Sequence, residues 1–178
     1  MTEEVAAISC LNSSAQPSWP HPCHTFAVDS LSSQLKEKAL ELEFDLVGIA
    51  AAGTVKTGSH LRRWLDAGRH GGMEWMARTA EARGDPRSVL PGCRSVVAVA
   101  MTYRTDRPPS SNWTDRIDGR VWISRDAWGR DYHRVMKKKL VRLGRWLEDQ
   151  RPECSWRACV DTVPVLEREW AARAGLGW

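Results

Sequence analysis

The sequence predicts a layered α/β (α+β) domain, a sheet flanked by helices. Three observations carry that class. Val96 to Met101 is a continuous apolar run, too short for a helix of its own and suited to a strand buried on both faces. Residues 129–150 repeat apolar positions at helical spacing. Short strand-like and helix-like segments alternate along the rest of the chain, as packed layers require.

The elements follow in order. Residues 1–28, rich in Ser, Pro and small residues without a sustained period, read as a mobile leader, and residues 29–178 as the domain. Asp29 or Ser30 suits an N-cap, and Leu31, Leu35, Ala39 and Leu42 then mark one helical face. Asp45–Ala50 reads as a buried strand, His60–Asp66 as a helix stopped by Gly68, and Gly71–Met76 as a break followed by another short helix. Asp85-Pro86 opens a further helical turn, because a proline at the first helical position loses no hydrogen bond. Arg94–Tyr103 is the clearest strand, 104–118 a loop around Pro108-Pro109, and Val121–Ser124 a returning strand. The longest helix spans 129–150 on Tyr132, Met136, Leu140, Leu143 and Leu147. Trp156–Val160 is a strand, and Pro164 opens a last helix closed by Gly175.

Composition narrows the class. The 178 residues suffice for one domain with a core, and 42% hydrophobic with 27% charged residues is the balance of an ordinary globular protein. The N-terminus is acidic, with no apolar stretch fit for a signal peptide or a membrane span, so a soluble cytoplasmic protein is expected. Five cysteines with irregular spacing and no C-x-x-C do not make a disulfide framework. His21, Cys23 and His24 fall short of four convergent ligands, so no metal site is expected. Net charge is +4, which favours an anionic partner only weakly. Arg134, Lys138, Arg142 and Arg145 recur along one helical face, which is either a solvated surface or a track for phosphates.

Asp161 is the first candidate for chemistry. It ends a strand and precedes a Thr-x-Pro turn, a position where pockets form at a sheet edge. A carboxyl group there either caps the following helix or serves as a proton donor.

Motifs and their order add a resemblance. Ser124-Arg125-Asp126-Ala127-Trp128-Gly129-Arg130-Asp131-Tyr132-His133, then Val160-Asp161-Thr162-Val163-Pro164-Val165-Leu166-Glu167-Arg168, then Arg173-Ala174-Gly175-Leu176-Gly177-Trp178, are similar to the N-terminal half of epoxyqueuosine reductases. The resemblance covers roughly residues 34–178. It implies the architecture shared with corrinoid reductive dehalogenases and reduction of epoxyqueuosine to queuosine at the wobble position of tRNA. It implies cobalamin as the redox centre, fed by two 4Fe-4S clusters whose cysteines would lie beyond Trp178, so that this chain alone is expected to be inactive. It implies Asp161 as the general acid, with Arg83, Ser124, Arg125 and Asp161 near the cofactor. A monomer bound to tRNA and to no membrane is expected. Tyr132 and His133 open the long helix, where a packed tyrosine and a surface histidine are the plain alternatives. A corrinoid-binding module without turnover, and a basic RNA-binding domain, stand as other readings.

Overall fold

The computed structural model describes residues 3–11, 30–106 and 123–177. Four strands form one antiparallel sheet: β1 (Glu3–Leu11), β2 (Leu46–Ala51), β3 (Cys93–Thr102) and β4 (Trp156–Cys159), in the order β2-β3-β1-β4. Six α-helices accompany it among the described residues: α1 (Leu31–Glu41), α2 (Gly58–Asp66), α3 (Glu74–Arg78), α4 (Ala80–Arg83), α5 (Tyr132–Gln150) and α6 (Glu167–Arg173).

β3 behaves as its composition requires. It lies between β2 and β1, and Val96 to Ala100 are buried without interruption. Val97 and Val99 face a core built with Leu35 and Ala39 of α1 and Met136, Leu140, Leu143 and Leu147 of α5. Val96 faces the other way, onto Trp170 of α6, the largest fully buried side chain. The sheet is therefore covered on both faces.

Several expectations change. Residues 3–11, expected within the leader, form β1 and pair with β3 from Glu3↔Thr102 and with β4 from Ala7↔Cys159. The run Val5-Ala6-Ala7-Ile8 is small and β-branched enough for a strand, and two flanking partners satisfy its backbone on both sides. The rest of the expected leader, including His21, Cys23 and His24, lies outside the described residues. β2 is an edge strand rather than a buried one, with Leu46 37% exposed, because a short apolar run does not reveal how many neighbours a strand has. Ile123 and Ser124 lead into a 3₁₀ turn, Arg125–Ala127, not a strand; Val121 and Trp122, like most of the expected 104–118 loop, lie outside the described residues.

Both helix ends near the last motif have a local cause. α6 begins at Glu167, not Pro164, because 160–165 is taken up by tight turns: Thr162 N–H donates to Val160 O at 2.5 Å and Val165 N–H to Val163 O at 2.8 Å. Its other end closes at Gly175 as expected. Gly175, at φ 81°, donates to Ala172 O (3.1 Å) while Leu176 N–H returns to Ala171 O (2.9 Å), satisfying the last carbonyls. No helix among the described residues is long and apolar enough to cross a membrane.

Candidate active site

Asp161 follows β4 and sits at φ 47°, in the left-handed region that few residues other than glycine adopt. The hydrogen bond from Thr162 N–H to Val160 O closes a three-residue turn with Asp161 at its centre. Asp and Asn tolerate this conformation better than most side chains, and the turn throws the carboxylate off the end of the strand. Asp161 does not cap α6, whose N-cap is Leu166 with no side-chain bond. One of the two readings left open for it is thereby removed.

Its partners come from the start of α5. The Tyr132 hydroxyl donates to Asp161 Oδ2 at 2.5 Å, and His133 Nε2 lies 2.9 Å from the same oxygen. The other ring nitrogen, Nδ1, lies 2.9 Å from Asp131 Oδ1, and the Tyr132 and His133 rings stack at 4.1 Å. Asp131 in turn caps the helix by accepting the His133 N–H at 3.0 Å. The hydrogen bond from His133 is the main reason the Asp131 carboxyl is held below the usual carboxylate range.

The result is a carboxylate–imidazole–carboxylate chain, Asp131–His133–Asp161, with a phenol beside its outer end. Both neighbours of Asp161 meet Oδ2, so Oδ1 is directed to neither of them. The Asp161 side chain is 38% exposed, which lets a substrate reach it. Tyr132 and His133, for which a packed tyrosine and a surface histidine are the plain readings, are the groups that hold Asp161. Asp131 is a member that the motifs alone do not single out; its position one residue before a helical run is an N-cap signal that could flag it.

The other candidates have contacts of their own. Ser124 is exposed and its hydroxyl meets Asp126 Oδ1. The Arg125 guanidinium lies 5.9 Å from the Trp128 ring centre, and the Trp128 indole N–H donates to Ile123 O at 3.0 Å. Arg83 is buried at 7% exposure. Its Nε donates to Thr79 Oγ1 (3.1 Å), its Nη1 to Val165 O (3.3 Å), and its guanidinium lies 5.3 Å from the Trp75 ring centre. Val165 ends the turn segment that starts at Asp161, so Arg83 braces that segment from beneath. A cleft of about 720 Å³ opens beside the Arg83 segment, lined by Lys56, Arg62, Glu81 and Asp85 among others, and includes none of the Asp161 cluster.

A family model described as "Epoxyqueuosine reductase QueG, DUF1730" matches residues 83–162. That interval starts at Arg83 and takes in Ser124, Arg125, Asp131, Tyr132, His133 and Asp161. Over most of its length the chain is similar to epoxyqueuosine reductases. The epoxyqueuosine reductase of Synechococcus sp. (strain CC9605) is 47% identical over 153 residues, covering 83% of this chain and 44% of that protein. That of Escherichia coli (strain K12) is 35% identical over 153 residues, covering 85% of this chain and 40% of that protein. Among solved structures, an epoxyqueuosine reductase from Streptococcus thermophilus superposes with TM-score 0.67 at 23% identity, over 83% of this chain and 39% of that one. A selenomethionine-labelled epoxyqueuosine reductase gives 0.64 at 28% identity, with the same coverages. The chain thus spans less than half the length of these relatives. The family likeness agrees with the small antiparallel sheet and its flanking helices.

Proposed function

We propose that the chain forms the N-terminal part of an epoxyqueuosine reductase, and that Asp161 is its proton donor. The observation that carries this reading is the placement of Asp161 between Tyr132 and His133, both on Oδ2. Converting an epoxide to an alkene removes its oxygen as water and consumes two electrons and two protons. A group that delivers a proton as the C–O bond breaks is therefore needed. His133 has its Nδ1 engaged by Asp131, which turns Nε2 toward Asp161 and makes the 2.9 Å contact a path for a proton between imidazole and carboxyl. Tyr132 fixes the carboxyl by its hydroxyl. In this reading the proton is transferred to substrate from Asp161, and His133 replenishes it from solvent.

Cobalamin, when bound, supplies the electrons. The side chains expected around it suit it in kind. Ser124 and Arg125 offer an exposed hydroxyl and a guanidinium for the amide arms of a corrin, and Asp161 adds a carboxyl group. Arg83 fits less directly, because Nε and Nη1 are already committed to Thr79 and Val165; its role is to hold the Asp161 turn, with Nη2 as its remaining arm. Iron–sulfur clusters, tRNA as substrate and a monomeric, cytoplasmic setting complete the reading for the longer protein.

The test is a visible-absorption titration of the chain with cob(II)alamin. Saturable binding weakened by Ser124→Ala, and by Arg83→Ala with the melting temperature followed in parallel, supports the proposal. A spectrum indifferent to the chain overturns the assignment of the cofactor to this domain.

A further inference from the structure

The exposed side of α5 carries a row of cations that helix stability does not account for. Arg134, Lys138, Arg142 and Arg145 are all exposed, and they lie opposite the buried Met136, Leu140, Leu143 and Leu147. Spaced about one helical turn apart, they extend over roughly 16 Å. No ion pair joins any of them to a described acidic group, whereas Lys139 of the same helix pairs with Glu43 at 3.2 Å. A surface helix built for solubility intersperses both signs at i,i+4, yet Arg134, Lys138 and Arg142 repeat one sign at that spacing. The helix ends carry the signs the dipole favours, Asp131 at the N-cap and Arg151 at the C-cap, so the like-charge spacing of the row itself is what helix stability leaves unexplained. A row that repeats one sign at this spacing marks a surface kept for a partner.

The row starts next to His133, at the end of α5 that holds the Asp161 cluster. We infer that this face of α5 is a phosphate track for an RNA strand, along which the backbone runs toward the Asp161 site. That the strand belongs to the substrate of that site rests on the reading given above; that the face binds RNA rests on the row itself.

The test follows binding of a fluorescein-labelled, unmodified tRNA transcript to the chain by anisotropy, between about 50 and about 200 mM salt. The variant replaces all four cations: Arg134→Gln, Lys138→Gln, Arg142→Gln and Arg145→Gln. The slope of log K against log salt should fall by roughly 0.7 to 0.9 for each phosphate that no longer meets a cation, close to 3 for the four together. Removing like-charge neighbours should leave the melting temperature level or higher, so a weakened interaction would not reflect unfolding. Lys36→Gln, an exposed cation on α1, should leave the slope as it is. An unchanged slope in the fourfold variant overturns the track. So does displacement of the tRNA by poly-glutamate at equal charge, which would assign the face to an acidic protein instead. Cob(II)alamin titration of the same variant keeps the two readings apart. Intact cofactor binding with an unchanged slope removes the track alone; absent cofactor binding in the wild type removes the assignment of the cofactor to this domain and leaves the slope to judge the track.

Discussion

The hydroxyl of Tyr132 and the carboxylate of Asp161 meet at 2.5 Å although the two residues belong to different elements, one opening α5 and the other following β4. Their contact fixes the distance between the start of the long helix and the end of the edge strand. It also ties a left-handed backbone position to a helix terminus, so the carboxylate is held by both its own turn and a neighbour's side chain.

Asp161→Asn retains a side chain that tolerates φ 47° while removing the acid. We expect the fold to persist and turnover in the full-length protein to drop by about 10²- to 10⁴-fold, the usual contribution of a positioned acid. Single-turnover reduction measured beside a melting curve checks both; a variant that turns over at the wild-type rate would falsify the assignment. Asp161→Ala should additionally lose about 1–2 kcal/mol of stability, because alanine has no means of easing the left-handed strain.

Glu169 of α6 is 5% exposed and accepts the backbone N–H groups of Lys56 and Thr57 at 2.7 and 2.9 Å, the Thr57 hydroxyl, and an ion pair from Arg173 at 2.9 Å. Burial pushes its carboxyl up, but the hydrogen bonds from Thr57 and Lys56, with Arg173, outweigh it and hold it below the usual range. A carboxyl lowered in the folded state contributes stability that is present above its unfolded value, about 4.3, and is lost as pH falls through the folded one. Glu169→Gln should therefore cost about 1–3 kcal/mol at neutral pH and flatten the acid limb of the stability curve. Urea midpoints at pH 7 and pH 3 decide it: an equal loss at both would show that the charge is not responsible.

Gly144 lies where α5 meets β4, and a Cβ built there would come within 2.3 Å of the Trp156 ring. Gly144→Ala should destabilise by about 1–3 kcal/mol through overpacking. Thermal melts followed by tryptophan emission report it, and a neutral result would mean that the ring can slide aside.

Cys159 is buried, and burial is the main reason its thiol is raised to about 11. Against an ordinary value of 9.0 the reactive thiolate is about 100-fold scarcer at pH 8, before any steric protection. Mass-spectrometric mapping after brief alkylation should find Cys159 unmodified in the native protein and labelled after denaturation. Rapid native labelling would contradict the packing around Val89 and Val165.

Much of this molecule can be read from local pattern. The apolar run at Val96–Met101 announces the inner strand, and the spacing of Met136, Leu140, Leu143 and Leu147 announces the buried side of α5. What fails does so where partners lie far off in sequence. Val5–Ile8 gives a weak signal beside an acidic start and a Ser- and Pro-rich continuation, and only pairing with two distant strands makes it β1. Pro164 looks like a helix start, yet the bond from Val165 to Val163 claims it for a turn. Asp161 stands out by its position and a motif. Its ties to Tyr132 and His133 do not, because nothing local in residues 131–133 or 160–162 states that they converge. Arg83 shows the converse: the motif marks it, but only the structure reveals that its guanidinium is engaged in bracing Val165.

The place of β1 has a consequence for how this domain is made. The first described strand lies between β3 and β4, the latest of the described strands to be synthesised. During synthesis β1 can pair on one side only after β3 is complete, and on the other only after α5 and β4 have been added. Contacts so distant along the chain are the ones that slow folding most. Until they close, the nascent chain carries a strand with open edges, a state that favours chaperone capture or self-association over unaided folding.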